Sequence, residues 1–131
     1  MFIIDTSLWI EYLKGKENTA VINLKQILAN KWQFGITGII YQEILQGAST
    51  KKDFEALRDY FSTQHFFVPK HAIETYQNAA NIYFSCRKRG ITIRSTMDCL
   101  IAQIAIEHQA ILLHNDKDYL QIAKVVPELK L

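Results

Sequence analysis

The chain has 131 residues, of which 49% are hydrophobic and 21% charged, with a formal net charge of +2. A chain of that length buries a core without disulfide or metal staples, and its composition lies far from the polar, highly charged signature of disorder. So mild a basic balance does not by itself establish a nucleic-acid partner, and no apolar run approaches the eighteen or so residues of a membrane span.

The opening FIID is short and β-branched at two positions, and it reads as a strand that runs into Asp5. SLWIEYLKG follows, with Leu8, Trp9, Tyr12 and Leu13 at helical intervals before Gly15. TAVINLKQILAN repeats the helical pattern, with Val21, Leu24, Ile27 and Leu28 on one face and Thr19 available as its cap. WQFGIT is a second strand, and IIYQEILQGAS a helix ended by Gly47. KKDFEALRDYFS is a further helix, and HFFVP a strand stopped by Pro69.

The longest helical run is HAIETYQNAANIYFSCRKRG, predicted with Ile73, Tyr76, Ala80, Tyr83 and Phe84 inward and Gly90 just past its end. STMDCLIAQIAIEHQ is another helix, AILLHN another strand, and DKDYLQIAK the last helix before Pro127. Cys86 and Cys99 both fall in helical segments and read as packing residues, which suits a reducing cytoplasm. The apolar N-terminal run is broken by Asp5 and lacks a basic flank, so it does not read as a leader.

Strands alternate with helices, and the strands are largely continuous apolar runs, as expected when helices cover both faces of a parallel sheet. The expected fold is a three-layer α/β/α sandwich with a central, mostly parallel sheet. No linker or repeat divides the chain, so one domain over residues 1–131 is expected.

In such a sheet, ligands bind beyond the carboxyl ends of the strands. Asp5 closes the first strand and Asp116 follows the last, so the two carboxylates share a rim if these strands are parallel neighbours. Asp98 lies in the first turn of its helix, and Glu43 sits among Ile39, Ile40, Ile44 and Leu45, where a glutamate is either exposed or aimed into a polar cleft. Each acid alone is also explained as a helix cap or a solvated charge. Caps do not explain a carboxylate on every element that reaches one rim.

Two such charges about 4 Å apart repel by roughly 4 kcal/mol at an effective dielectric near 20, so the cluster calls for a cation. All-oxygen ligands favour a hard ion, Mg²⁺ or Mn²⁺, and neither His108 nor His114 shares a zinc-type spacing with the acids. A hydrated dication suits phosphoryl chemistry, with a free carboxylate to accept a proton from water.

IIDTS followed by a helix, then YQEILQG, IRSTMDCLIAQIA and LLHNDKDY, in that order and over nearly the whole chain, resembles the PIN-domain nucleases, and more narrowly the VapC-type toxins. The resemblance implies a magnesium-dependent endoribonuclease that acts on RNA, is inhibited by a cognate antitoxin and is commonly a homodimer, alone or within a hetero-oligomer with that antitoxin. It places Asp5, Glu43, Asp98 and Asp116 in the acidic active-site positions and assigns the metal to Asp5, Asp98 and Asp116, with Asp5 and Asp98 foremost. Asp118 falls on a second acid of the D-x-D ending, and Thr6 and Asn115 are expected to orient a carboxylate or a water.

Tyr119, where phenylalanine is frequent, and Cys99, where alanine is frequent, are expected to affect packing alone. Arg87, Arg89 and Arg94, with Lys88 among them, are expected to line an RNA path, a solvated helix end being the alternative. Trp9 and Tyr12 read as core or interface aromatics. Three other functions remain open at this level: a magnesium-binding receiver domain, a PIN-family RNA-binding module without activity, and a housekeeping nuclease without an antitoxin. A receiver usually carries paired acids after its first strand, whereas Asp5 stands alone.

Overall fold

In a computed structural model covering Met1–Leu131, four short strands form one sheet in the order β3-β2-β1-β4, and every pairing is parallel. They are β1 (Phe2–Ile4), β2 (Phe34–Thr37), β3 (His65–Phe67) and β4 (Ile111–Leu113). The helices are α1 (Thr6–Leu13), α2 (Thr19–Ala29), α3 (Gly38–Gln46), α4 (Lys51–Phe61), α5 (Glu74–Lys88), α6 (Thr96–Glu107) and α7 (Lys117–Val125). The alternation read from the sequence is therefore the alternation observed, with a sheet that is wholly parallel. No helix is long and apolar enough to cross a membrane.

Parallel strands joined by helical crossovers are buried on both faces, and this explains why β1 and β4 lack a polar side. Ile3, Ile4, Ile36, Phe67 and Leu112 contribute to a cluster of 24 buried residues to which all seven helices add side chains. Trp9 is fully buried within it and meets Phe61 edge-on with ring centroids 4.9 Å apart, so this aromatic serves packing, as expected.

Two local expectations are corrected. The cap of α2 is Asn18, not Thr19: the Asn18 carboxamide oxygen accepts from the Val21 amide at 2.9 Å, while Thr19 already has helical geometry. In α5 the buried stripe is Thr75, Ala79, Ile82 and Cys86, about one residue rotated from the predicted face, and Ile73, Tyr76 and Phe84 are exposed. Tyr76 and Tyr83, on the predicted face, instead line a groove beside Met97 and Leu100. Gly90 follows the helix with φ +76°, a left-handed conformation that glycine adopts without strain, as expected of the residue after the C-cap.

Candidate active site

Asp5 reaches the rim because β1 ends at Ile4, and Ile4 pairs in register with Leu113 of β4. The Asp5 amide donates to the Leu113 carbonyl at 2.9 Å, so the chain turns into α1 one residue past the ladder. One carboxylate oxygen, Oδ2, accepts from the Ser7 amide at 3.0 Å and the Ser7 hydroxyl at 2.6 Å. Asp5 is thus a helix cap and a site residue at once, because the geometry that caps α1 also holds the carboxylate at the strand end.

The same construction recurs after β4. Asp116 caps α7 by accepting from the Asp118 amide at 3.0 Å. The intervening loop is tied to α1: the Asn115 amide donates to Ser7 Oγ at 3.0 Å, and the Asn115 carboxamide donates to Glu11. Asn115 therefore supports Asp5 indirectly, through Ser7, rather than by touching a site carboxylate with its side chain. Thr6 does orient one: its hydroxyl donates to Glu43 Oε1 at 2.8 Å and turns that glutamate from α3 toward the cleft.

Asp98 sits in the first turn of α6, 9% exposed, and Asp118 in the first turn of α7, 7% exposed. One oxygen from each of Asp98, Asp116 and Asp118 falls within 4.8 Å of the others. Asp5 joins this group through Tyr119, whose fully buried hydroxyl lies 2.8 Å from Asp5 Oδ1 and 3.3 Å from Asp98 Oδ1. Tyr119 was expected to serve packing alone, and that is corrected here: its ring fills the core while its hydroxyl links two of the acids.

Mutual repulsion and burial leave their mark on the carboxyls. Burial, then the charges of Asp5, Asp116 and Glu43, push Asp98 from 3.8 up to about 7. Glu43 is raised by burial and by Asp5, against the opposing bond from Thr6. The Tyr119 hydroxyl is raised well above its ordinary value, chiefly by burial, so it remains a donor. His114 is lowered by burial, and its Nδ1 accepts from the Asp116 amide at 3.1 Å, so it supports the loop and does not face the acids as a cation.

Arg94, on the loop before α6, is the cation that meets this cluster. Its Nη2 lies 2.9 Å from Asp116 and its Nε 3.1 Å from Asp118. Arg87 and Arg89, at the far end of α5, are exposed and make no ion pair, and Arg87 lies over the Tyr83 ring at 5.6 Å. Of the three arginines expected on an RNA path, Arg94 is the one bonded to the acids of the site. Cys99 is buried and pushed up to about 12, mainly by burial, which keeps it a neutral packing residue.

An all-oxygen donor set with one carboxyl already raised to about 7 by burial and its neighbours is short of positive charge, and this fits a hard divalent cation. Ser7, Glu11 and Tyr119 were missing from the expected set. Ser7 was legible as the residue two after a strand-end aspartate, the usual spacing of a cap bond, whereas nothing in the local pattern marks the Tyr119 hydroxyl.

The PIN domain family model matches residues 2–125. Ribonuclease VapC11 of Mycobacterium tuberculosis and VapC ribonuclease Mb1587 of Mycobacterium bovis are each 33% identical over 126 residues, covering 95% of this chain and 93% of theirs. Among solved structures, VapBC2 from Rickettsia felis, bound to a DNA fragment from its promoter, superposes with a TM-score of 0.74 at 20% identity, covering 99% of this chain and 96% of that one. VapBC-1 from nontypeable Haemophilus influenzae gives 0.71 at 20% identity, covering 98% and 94%. These structural likenesses establish a shared fold. With the family match spanning both the strand-end acids and the α6 and α7 aspartates, the chain belongs to the PIN-domain family, and its relatives within that family are VapC ribonucleases.

Proposed function

We infer that the protein is the toxin of a type II toxin–antitoxin pair, a metal-dependent endoribonuclease that hydrolyses RNA phosphodiester bonds until a cognate antitoxin inhibits it. The observation that carries this reading is the convergence of Asp5, Glu43, Asp98 and Asp116, spread along the chain, on one rim of the sheet, in a chain 33% identical to VapC ribonucleases. The reading treats the chain as one domain and as the subunit of a homodimer that engages the antitoxin in the cytoplasm.

Mg²⁺ is the assigned cofactor, with Mn²⁺ as a substitute, and Asp5, Asp98 and Asp116 are the residues assigned to hold it. When bound there, such an ion neutralises non-bridging phosphate oxygens, acidifies a water and stabilises the leaving oxygen. The protein's own contribution is positional. Ser7 and Tyr119 fix the two oxygens of Asp5, and Thr6 fixes Glu43. Glu43, raised by burial and by Asp5 and held by a single side-chain bond, is the group assigned to take the proton of the attacking water.

The test is to induce wild-type protein and an Asp98→Asn variant in cells and to sequence the RNA ends that appear. New ends in the wild type alone, suppressed when the neighbouring antitoxin gene is co-expressed, are the expected result. Identical RNA profiles for the two proteins would count against nuclease activity, and cleavage indifferent to any partner would leave a housekeeping nuclease.

A further inference from the structure

The oxygens of Asp98, Asp116 and Asp118 lie close enough together for all three to be taken as metal ligands, yet Asp118 differs from the others in taking both the main chain and the side chain of one arginine on a single oxygen. Its Oδ2 accepts from the backbone amide of Arg94 at 3.2 Å and from Nε of the same residue at 3.1 Å. Arg94 then reaches past Asp118 to give an Nη2–H to Asp116 Oδ1 at 2.9 Å. One buried carboxylate therefore grips a single arginine by both main chain and side chain. An ordinary surface arginine is not held in this way.

The loop that carries Arg94 is also fixed on either side. Ile93 is buried in the core, 3% exposed, and the Ser95 hydroxyl caps α6 by accepting from the Met97 amide at 3.3 Å. Between these fixed points the Arg94 side chain is two-thirds exposed. Only Nε and Nη2 are bonded to protein, so the other guanidinium N–H groups are free at the mouth of the acid cluster. A buried carboxylate is stable when paired, and Asp118 has its pair in both the amide and Nε of Arg94, whereas the more exposed Asp116 meets the guanidinium only through Nη2 on one oxygen; a dication at Asp118 Oδ2 would face a fixed like charge. A planar fork with free N–H groups suits the oxygens of a phosphodiester.

We propose that Asp118 is the anchor of Arg94 rather than a ligand of the metal, and that the anchored guanidinium receives the RNA phosphate at the mouth of the site. This rests on the metal-dependent RNA-cleaving reading above and assigns its fourth aspartate and its arginine. Asp118 is then a positioning residue, and Arg94 is the group that touches substrate.

The experiment compares wild-type protein with Arg94→Ala, Arg94→Lys, Asp118→Asn and the Arg94→Ala/Asp118→Asn double variant. Mn²⁺ binding is followed by electron paramagnetic resonance, and kcat and KM are measured on a single-stranded oligoribonucleotide. Asp118→Asn is expected to change the Mn²⁺ dissociation constant by less than about threefold while lowering kcat/KM by about tenfold or more, the scale on which supporting partners of a site act. Arg94→Ala should bind Mn²⁺ equally or more tightly and lose a similar factor in kcat/KM. The double variant should be no worse than the poorer single one, because both remove the same interaction. Arg94→Lys should recover little, since lysine lacks the planar fork.

Three results overturn the proposal: Mn²⁺ binding weakened about tenfold or more by Asp118→Asn but not by Arg94→Ala, which would put the carboxylate on the metal independently of the arginine; wild-type kinetics in Arg94→Ala; or losses that multiply in the double variant. Should Asp118→Asn fail to fold, Arg94→Ala alone still decides through its paired Mn²⁺ and kinetic readouts. Wild-type protein that binds Mn²⁺ and cuts no RNA would overturn the underlying reading, whereas a cutting wild type with an indifferent Arg94→Ala overturns this proposal alone.

Discussion

Asp98 concentrates the conflict between folding and function in one side chain. Burial and three neighbouring acids hold it near 7, well above its value in an unfolded chain, so its charged form is unfavourable when no cation is present. Replacing it with asparagine keeps the shape and removes the charge. Asp98→Asn is expected to lower RNA cleavage by more than about a hundredfold, since the metal ligand proposed here would cost more to lose than the groups that orient it. The same variant should unfold at a higher temperature than wild type when both are compared in chelator at pH 8, by an amount worth a few kcal/mol at most. Thermal denaturation in EDTA checks this, and a destabilised variant would contradict the account of Asp98.

Tyr119 gives a second prediction at this scale. Tyr119→Phe deletes only the hydroxyl that touches Asp5 and Asp98, and leaves the ring in the core. Metal affinity, followed by Mn²⁺ titration, should fall by about 10- to 100-fold, as for other groups that orient ligands, with little change in melting temperature once metal is removed. Unaltered affinity would return Tyr119 to the purely packing role that the local sequence suggests. That role was misread because a phenol has two ends: the periodicity of α7 reports where the ring goes, but the destination of the hydroxyl depends on what β1 and α6 bring beside it.

At the scale of elements, the site depends on how closely strands and helices approach. Gly35 lies in β2 between β1 and β3, pairing with Ile3 on one side and His65 on the other. A Cβ at this position would fall 2.3 Å from the His65 carbonyl oxygen and 2.8 Å from the Phe67 ring. Neither can yield without moving β3, so Gly35→Ala is expected to destabilise the fold by about 1–3 kcal/mol, the usual cost of overpacking. A urea midpoint lowered accordingly would confirm it, and an unchanged midpoint would show that β3 is free to shift.

The expectation for α5 failed at this same scale. An amphipathic pattern rich in aromatics has more than one apolar face, and which one is buried, here Ala79, Ile82 and Cys86, depends on how the rest of the fold packs against α5. The caps at Asp5 and Asp116 were visible, because a cap is a bond between residues two or three apart, whereas the α2 cap was placed one residue late. Asp5, Thr37, Thr50, Ser95 and Asp116 all accept from amides at that range.

For the molecule as a whole, the acids make stability depend on pH in a direction opposite to that of a protein held by salt bridges. Between 3.8 and about 7 the folded chain binds a proton at Asp98 that the unfolded chain has given up, so this group's contribution to metal-free stability falls as pH rises through that window and levels off above it. Saturating Mg²⁺ or Mn²⁺ should reverse the loss, adding about 2.7 kcal/mol at a hundredfold excess over its dissociation constant. Urea unfolding at pH 5 and pH 8, with EDTA and with metal, tests both signs. A metal-free protein more stable at pH 8 than at pH 5 by virtue of this group would refute the raised state of Asp98.

The sequence by itself determined the order of strands and helices, the parallel sheet and the placing of Asp5, Asp98 and Asp116 at element ends, because alternation, capping and chain direction are local properties of neighbouring residues. Only the tertiary structure decided that Tyr119 bridges Asp5 and Asp98, that Ser7 and Asn115 join α1 to the last loop, and that Arg94 is gripped by Asp118. Those contacts join residues from 21 to 114 positions apart. Their formation depends on register, crossing distance and the direction of single side chains, none of which a local pattern encodes.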